Sequence, residues 1–537
     1  MRIIIDEKYR WQYASANGGE YWYIGDERPV KDLAALFLES PDDTHGKLSR
    51  LLYHSIGHFA VIFKIGKNTV TVVDKTRSYP VFYYHKDGNF AVSNSARALQ
   101  RDYRVKKINE IGRLEFQMAG LISGRETLYR DLYQIQAGEF VRWHQETHRL
   151  ERERYYTFYS QETREEKKED LIDELDEVTD KIFHRVIEDA NDRPIWIPLS
   201  GGLDSRLVIC KLKKLGYRNL HAFSYGPPRN YEAKWARLVA ERVGVPWVFI
   251  PYKLREVRKF FLSDIRKEYW KFSGEYCSLP FMVDEFAIHA LKEKGLINSD
   301  TVIVNGQSGD FITGGHSYGY HLKVMPNKKS HYNSQTIAKA IIKKHYSLNS
   351  ALLTVKNIER ISNKIHTLLG LDHTSQYSDE QIAQYYEWWE WQERQSKYVV
   401  NGQRSYDFFG LRWALPLWAD EYLTFWDKIP YSLRFQQYLY KAFLDGLDLF
   451  GLFKNFKPVV WNWQGPSMVA IPVGATLKRL FGNKVSKQFY HYAGFFGKYQ
   501  NHYAPFGLLK WLLNARHLKN SLAFYIDTLF QENKIEV

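Results

Sequence analysis

Two glycine-rich stretches carry the residue types that phosphate chemistry needs. The first reads Pro198-Leu199-Ser200-Gly201-Gly202-Leu203-Asp204-Ser205-Arg206. An apolar run, Ile195-Trp196-Ile197, precedes it and an amphipathic segment follows, so it reads as a strand-to-helix turn. Glycines let backbone N–H groups close on anionic oxygens. A helix start adds free N–H donors and the positive end of the dipole. Ser200 and Ser205 can donate further hydrogen bonds. Asp204 cannot bind an anion directly, and its natural partner is a Mg²⁺ that bridges to phosphate oxygens. The second stretch is Val302-Ile303-Val304-Asn305-Gly306-Gln307-Ser308-Gly309-Asp310-Phe311, with Gly314-Gly315 beyond it. Two strands ending at the same sheet edge would bring Asp204 and Asp310 together on one Mg²⁺. Each stretch alone has a plainer reading, because Ser and Asp cap helices and a single Asp is commonly a loop residue. In order, and both after strands, they point to a nucleotide site.

The elements that must position these loops follow from periodicity. Residues up to about 155 read as mostly strand: Ala60-Val61-Ile62-Phe63, Val70-Thr71-Val72-Val73 and Val81-Phe82-Tyr83-Tyr84, separated by Gly66-Lys67-Asn68 and Asp87-Gly88-Asn89. The charged stretch 161–170 marks a boundary or an exposed helix start. Leu171, Leu175, Val178, Ile182 and Val186 continue at helical spacing. From Ile195 strand and helix alternate. The spacing predicts a strand over 195–199, a helix over 206–215, and strands over 220–224 and 247–250. Such alternation argues for a parallel sheet covered by helices, with ligands at the carboxyl ends of the strands. Beyond about Ser330 the chain reads as helical and rich in aromatics.

Composition narrows the partners. The length of 537 residues allows about two to three domains. Cys210 and Cys277 are too few for a disulfide scaffold and belong to no CxxC pair, which fits a reducing cytosol. Met1-Arg2-Ile3-Ile4-Ile5-Asp6 does not resemble a signal peptide, and no run of about 18 uncharged apolar residues occurs. The expected location is cytoplasmic, with the inner face of the membrane as its variant. A net charge of +14 favours anionic partners. From Gly451 to Val537 there are 11 Lys and Arg against 3 Asp and Glu, interleaved with aromatics. The plainer reading is a solvated basic face on a packed helical end. The sharper reading is peripheral contact with an anionic membrane or a phosphorylated, lipid-linked substrate. Nucleic acid is not an expected partner, because no binding module is visible.

Ser200-Gly201-Gly202-Leu203-Asp204-Ser205 resembles the PP-loop of the asparagine synthetase family. Gly306-Gln307-Ser308-Gly309-Asp310 is similar to that family's second motif, and Phe223-Ser224-Tyr225-Gly226 to its adenosine-side strand. Tyr231-Glu232 through Gly244 resembles the helix that follows, and residues 410–418 resemble a short Pro-containing stretch of the family. Gly57-His58-Phe59-Ala60 and Val73-Asp74-Lys75 through Pro80 look like a class II glutamine amidotransferase domain. The resemblance implies an α/β fold in two domains. Residues 1–160 would form a degenerate amidotransferase-like domain, an Ntn-hydrolase-like αββα sandwich. Residues 170–537 would form an ATP-binding synthetase domain, a PP-loop (adenine nucleotide α-hydrolase-like) parallel α/β domain with a helical C-terminal extension. It implies ATP and Mg²⁺ as cofactors and an acyl-adenylate that a nitrogen nucleophile converts to an amide. Asp204 and Asp310 would hold Mg²⁺ and serve catalysis. Leu199, Ser200, Gly201, Gly202, Asp204, Ser205, Phe223, Ser224 and Gly306 would bind ATP.

Three departures from the family pattern shape the expectation. Arg2 stands where such glutaminase domains carry their nucleophilic Cys, and no cysteine precedes Cys210. Losing the nucleophile of such a unit costs on the order of a millionfold. Glutamine hydrolysis is therefore not expected, and nitrogen would come from free ammonia, a separate glutaminase or an amine. Gln307 stands where asparagine synthetase carries Glu, so no proton can be taken there. The family's catalytic Lys has its nearest counterpart in Lys457, for which an ordinary surface residue is the plainer reading. His316 and Glu232 are candidate bases, each with a structural reading beside it. The segment 397–410 resembles a surface-polysaccharide branch of the family, which implies amidation of a uronic acid in O-antigen or capsule synthesis. The substrate would then be a small-molecule, nucleotide-linked or lipid-linked sugar acid, with Arg404 holding its carboxylate or phosphate. The competing readings are an amine-joining synthetase like β-lactam synthetase or a lasso peptide cyclase, and a non-catalytic nucleotide-binding scaffold.

Overall fold

The computed structural model describes residues 1–16, 18–39, 45–158, 164–228, 230–316, 332–456, 465–498, 506, 508–514 and 516–535. The chain is mixed α/β. Two sheets form its first part. One has six strands: β2 (Gln12–Ala16), β3 (Gly19–Gly25), β4 (Phe59–Ile65), β5 (Asn68–Val73), β9 (Glu139–His144) and β10 (Arg149–Arg154). They lie in the order β10-β9-β5-β4-β3-β2, all antiparallel. The other has four, β1 (Arg2–Ile4), β7 (Asn89–Ser93), β6 (Phe82–Lys86) and β8 (Leu132–Gln134), in that order. Strand alternation explains how they stack. On β4, Ala60 and Ile62 join Tyr83, Phe90, Val92 and Trp143 in a core between the two sheets. Phe59, Val61 and Phe63 face the other way, against Val30, Leu33 and Phe37 of helix Glu27–Glu39 and Leu48 and Leu52 of helix His45–His54. On the far side, Phe82 and Ala91 meet Ala96 and Leu99 of helix Ala96–Asp102 and Phe116 of helix Glu110–Ala119. The layers therefore run helix, sheet, sheet, helix.

A 23-residue helix, Lys168–Ala190, leads into the second part. Its five-stranded sheet is parallel throughout, in the order β13 (Trp247–Pro251), β12 (Leu220–Gly226), β11 (Ile195–Pro198), β14 (Val302–Val304), β17 (Arg412–Ala414). β11 is central, and the order reverses there: the chain steps outward to β12 and β13, then returns to β14 on the other side. In parallel sheets such a reversal point, here at the carboxyl ends of β11 and β14, is the general place for a ligand. The helix after β11 is Leu203–Lys214, which starts three residues earlier than the periodicity predicts. Asp204 and Ser205 thus fall in its first turn. Beyond residue 332 the described residues are mainly helical, as expected, with a core of Ile337, Ile341, Ile361, Ile365, Tyr386 and Trp389. A short antiparallel ladder, β15 (Tyr332–Asn333) with β16 (Gln376–Tyr377), closes the edge of that core.

The two parts share one hydrophobic cluster, in which Val61 and Phe63 of β4 and Leu171, Ile197 and Trp391 all take part. A π-helix, Glu390–Val399, ties them further. Such a wide turn is rare and concentrates at functional sites. Toward the first part, Lys397 Nζ donates to the carbonyls of Ile122 and Gly124 and pairs with Glu393 Oε2 at 2.5 Å. The Gly124 N–H donates to the same carboxylate at 3.0 Å, and Trp391 Nε1–H reaches the Lys75 carbonyl at 3.2 Å. Both members of the ion pair are buried. Lys397→Met is expected to cost about 3 kcal/mol, because it strands the Glu393 carboxylate without a cation. Urea unfolding checks this, and a loss below about 0.5 kcal/mol, the usual size of a surface change, would contradict it.

Candidate functional site

The site grows from the ends of β11 and β14. Beyond β11 the Leu199 N–H donates to the Phe223 carbonyl at 2.8 Å, and the chain then leaves the sheet. Ser224 Oγ–H donates to the Leu199 carbonyl at 2.6 Å, while Trp247 Nε1–H donates to Ser224 Oγ at 2.9 Å. Three adjacent strands thereby fix the point from which the turn springs. Within the turn, the Ser200 N–H donates to Ser205 Oγ, the two hydroxyls lie 3.1 Å apart, and the Gly202 N–H donates to Ser200 Oγ at 3.1 Å. Arg206 holds the turn from behind, donating to the carbonyls of Gly201 at 2.8 Å and Leu452 at 2.7 Å. Ser200 and Gly202 remain exposed, so the open face of the turn looks out to solvent.

The loop after β14 packs directly on this turn. A Cβ on Gly306 would stand 2.9 Å from the backbone C of Asp204 and from the N of Ser205. One on Gly309 would stand 2.6 Å from Asp204 Cγ. Only glycine lets the two loops come this close. The Asp310 N–H donates to Asp204 Oδ2 at 2.9 Å, so two residues far apart in the chain sit side by side. Gly306→Ala is expected to destabilise the chain by about 1–3 kcal/mol, because its contact atoms are backbone and cannot rotate away. A urea midpoint equal to that of the unsubstituted chain would contradict this close approach.

The electrostatics follow from the pairing. Tyr440 O–H donates to Asp204 Oδ1 at 3.0 Å. Burial, and next the charge of Asp310, push the Asp204 carboxyl up to about 7. Among the described residues no cation lies within ion-pair distance of Asp204. Asp310 is held differently. Its Oδ1 accepts from the Phe311 N–H at 2.9 Å, and His316 Nε2 lies 3.1 Å from Oδ2. His316 Nδ1 in turn lies 2.8 Å from the buried Glu390 at the start of the π-helix, and Lys344 completes that pair at 3.2 Å. Burial disfavours charge on His316, yet Glu390 and Asp310 outweigh it and lift the ring to about 9. Burial also works against the Asp310 carboxylate, but the cationic His316 keeps it below its ordinary value.

The donor set suits Mg²⁺. Asp204 and Asp310 each offer oxygens with a lone pair to spare, and no third His, Cys, Asp or Glu joins them in a metal-type cluster among the described residues. Mg²⁺ prefers this economy, keeping waters and the oxygens of a bound phosphate as its other ligands.

The other expected residues fall into place around this pair or away from it. Leu199, Ser200, Gly201, Gly202, Ser205 and Gly306 are brought together with the two carboxylates. Phe223 is placed under the turn, but its ring is fully buried with Trp196, Ile250 and Ile303, so only its backbone takes part. The Ser224 hydroxyl is already engaged with Leu199 and Trp247 and acts as a buttress. Gln307 Oε1 accepts from Gln403 Nε2 at 2.8 Å, and its neighbour Ser308 donates to Gln395 Oε1 of the π-helix at 2.8 Å. Glu232 is exposed on helix Tyr231–Val243, with Tyr231 as its side-chain partner. Arg404 lies outside the cluster. Its buried guanidinium stacks 4.5 Å from the Tyr79 ring and lies 2.7 Å from Asp407. It lines a cavity of about 10 Å³ between the two parts of the chain, with Tyr9, Asn94 and Glu275. Lys457 lies outside the described residues.

Tyr440, Glu390, Gln395 and Gln403 were not legible from the sequence. Each stands far along the chain from the loop it holds, and although Gln403 falls inside the 397–410 segment, nothing local marked its contact with Gln307.

A parallel sheet with a glycine turn and paired carboxylates at its reversal point defines an α/β protein with a site at the carboxyl ends of its strands. Residues 176–445, just over half of the chain, match the family described as asparagine synthase. The chain belongs to the asparagine synthase family. No curated protein matches the sequence. Solved structures with some likeness include one titled the allosteric regulatory enzyme of purine biosynthesis (13% identity, TM-score 0.18, 54% of this chain and 55% of that one). Another is glutamine phosphoribosylpyrophosphate amidotransferase from B. subtilis (13% identity, TM-score 0.17, 56% and 58%). The chain thus spans little more than half the length of either, and neither likeness bears on the reading of the site.

Proposed function

We propose that this chain is an ATP- and Mg²⁺-dependent amide-forming ligase that releases AMP and pyrophosphate. The observation that carries the reading is the hydrogen bond from the Asp310 backbone to the Asp204 carboxylate at the mouth of the glycine turn. In this reading residues 170–537 form the synthetase domain and residues 1–160 a glutaminase-like domain without its nucleophile. Ser200, Ser205 and the N–H groups at the start of helix Leu203–Lys214 hold phosphate oxygens. Asp204 and Asp310 hold Mg²⁺, which supplies neutralisation of the triphosphate charge when bound. A carboxylate oxygen of the substrate attacks the α-phosphorus, and pyrophosphate leaves. The lone pair of ammonia or an amine then attacks the acyl carbon, AMP leaves, and the nitrogen gives up one proton to solvent. The protein contributes mainly orientation and charge compensation to both steps.

The proposed acid is a sugar acid of the uronic type, on a nucleotide or lipid-phosphate carrier. Support comes from the 397–410 segment and the basic C-terminal region. No cysteine precedes Cys210, so the nitrogen is proposed to come from free ammonia, a partner glutaminase or an amine. The test is incubation with Mg·ATP, ammonia and UDP-uronates, with AMP and pyrophosphate read by phosphorus NMR. Release of ADP and phosphate would overturn the adenylation step. Turnover with an amino acid amine but not with ammonia would move the reading to an amine-joining synthetase. Nucleotide binding with no pyrophosphate exchange on any acid would leave a scaffold.

A further inference from the structure

Helix Gly465–Lys498 is not one rod. Gly482 interrupts it at φ 80° and ψ 176°, far from helical geometry. Ser486 Oγ–H donates to the Gly474 carbonyl at 2.8 Å. On a continuous helix residues twelve apart stand about 18 Å apart along the axis. The chain therefore doubles back at Gly482, and the segment is a helical hairpin whose arms touch through Ser486 and Gly474. Its turn presents Leu480 and Phe481, exposed at 66% and 64%, with Val473 and Val485 also open to solvent. Lys478, Arg479, Lys484 and Lys487 are exposed around the same turn. The charge of the whole region has one sign. Between Asp448 and Asp527 the sequence holds ten Lys or Arg and not one Asp or Glu, although the chain carries 61 acidic residues in all. A second exposed apolar pair, Leu509 and Leu513, falls inside the same acid-free stretch, one helical turn apart.

We infer that the tip of this hairpin docks on a membrane surface containing anionic lipid. A convex tip with a leucine and a phenylalanine at its end, ringed by four cations, can bury its apolar side chains at the level of the acyl boundary while the cations meet the headgroups. A soluble polyanion would use the cations but leave Leu480 and Phe481 in water. No helix among the described residues is long and apolar enough to cross a membrane, so the contact is interfacial. The inference narrows the basic character of the C-terminal region to a defined surface, and it stands apart from the nucleotide site.

The test is co-sedimentation of the full chain with phosphatidylcholine vesicles, with and without phosphatidylglycerol. The expected result is binding to the anionic vesicles alone, lost in 1 M salt, where the screening length falls to about 3 Å. Leu480→Ser with Phe481→Ser is expected to weaken binding more than about tenfold. Lys478→Gln and Lys487→Gln are each expected to weaken it about fivefold. All these positions are exposed, so the thermal midpoint should stay unchanged and report that the fold is intact. The inference is overturned if the unsubstituted chain stays in the supernatant with anionic vesicles, or if the Leu480/Phe481 double variant binds as it does. It is also overturned if light scattering without lipid shows self-association that the double variant abolishes, which would make the tip an interface between copies of this chain.

Discussion

Asp310→Asn and Asp204→Asn are each expected to lower Mg·ATP-dependent AMP release by on the order of 10² to 10³, the usual cost of removing one group aimed at the charge of a transition state. The two substitutions test the same carboxylate pair from opposite sides. In Asp310→Asn the remaining side-chain oxygen can still accept from the Phe311 N–H, and His316 keeps its bond to Glu390. The loop should therefore hold its shape while losing one charged ligand. In Asp204→Asn the amide oxygen can accept from Tyr440 or from the Asp310 N–H, but no longer offers two anionic oxygens. Calorimetry separates the steps. Nucleotide alone should bind nearly as before, and the enhancement that Mg²⁺ gives should vanish. Retention of Mg²⁺-enhanced binding in both variants would remove the carboxylate pair from any metal role. Retained folding is checked by the far-ultraviolet dichroism and the thermal midpoint.

What the sequence revealed of this site depended on whether a residue's role is local. The turn Ser200–Ser205 and the loop Gly306–Asp310 were legible because tight backbone approach demands glycine, and the structure shows the close contacts that demand it. The strands of the first part were legible from their β-branched and aromatic runs, whereas their stacking as a sandwich came only through the family resemblance; the structure shows the alternation behind it, as on β4 with Ile62 and Val61. The π-helix Glu390–Val399 was not legible. The structure buries Glu390, Glu393 and Lys397, because their partners are the His316 ring, the Gly124 N–H and the carbonyls of Ile122 and Gly124. Burial of that kind depends on chain segments more than 70 residues away and leaves no local trace. Tyr440 is hidden for the same reason: it lies 236 residues from Asp204. Arg404 shows the converse. Its type suggested a carboxylate ligand, but tertiary packing placed it against Tyr79 in the seam between the two parts of the chain.

The same seam-and-sheet packing leaves a buried acidic pair whose titration should dominate the pH dependence of stability. Asp284 and Glu285 open helix Glu285–Glu293, beside the carboxyl end of β13, and are 4% and 5% exposed. Asp284 accepts from the Tyr406 hydroxyl, whereas Glu285 Oε2 has no hydrogen-bond partner. Burial, and next the charge of Asp284, raise Glu285 to about 8. Burial raises Asp284 to about 6. Both groups bind protons more tightly in the folded chain than in the unfolded one. Stability must therefore fall as pH rises, from the unfolded carboxyl range near 4.5 up to about 8, and then level off. A tenfold difference in proton affinity between the folded and unfolded chain corresponds to about 1.4 kcal/mol, so Glu285 costs at most about 4–5 kcal/mol above pH 8 and almost nothing at pH 4.5. Glu285→Gln keeps the shape and removes the titration. The variant is expected to match the unsubstituted chain in urea unfolding at about pH 4.5 and to exceed it by several kcal/mol at about pH 8.5. A difference independent of pH, or a variant less stable on the alkaline side, would show that the Glu285 carboxylate is compensated in the folded chain.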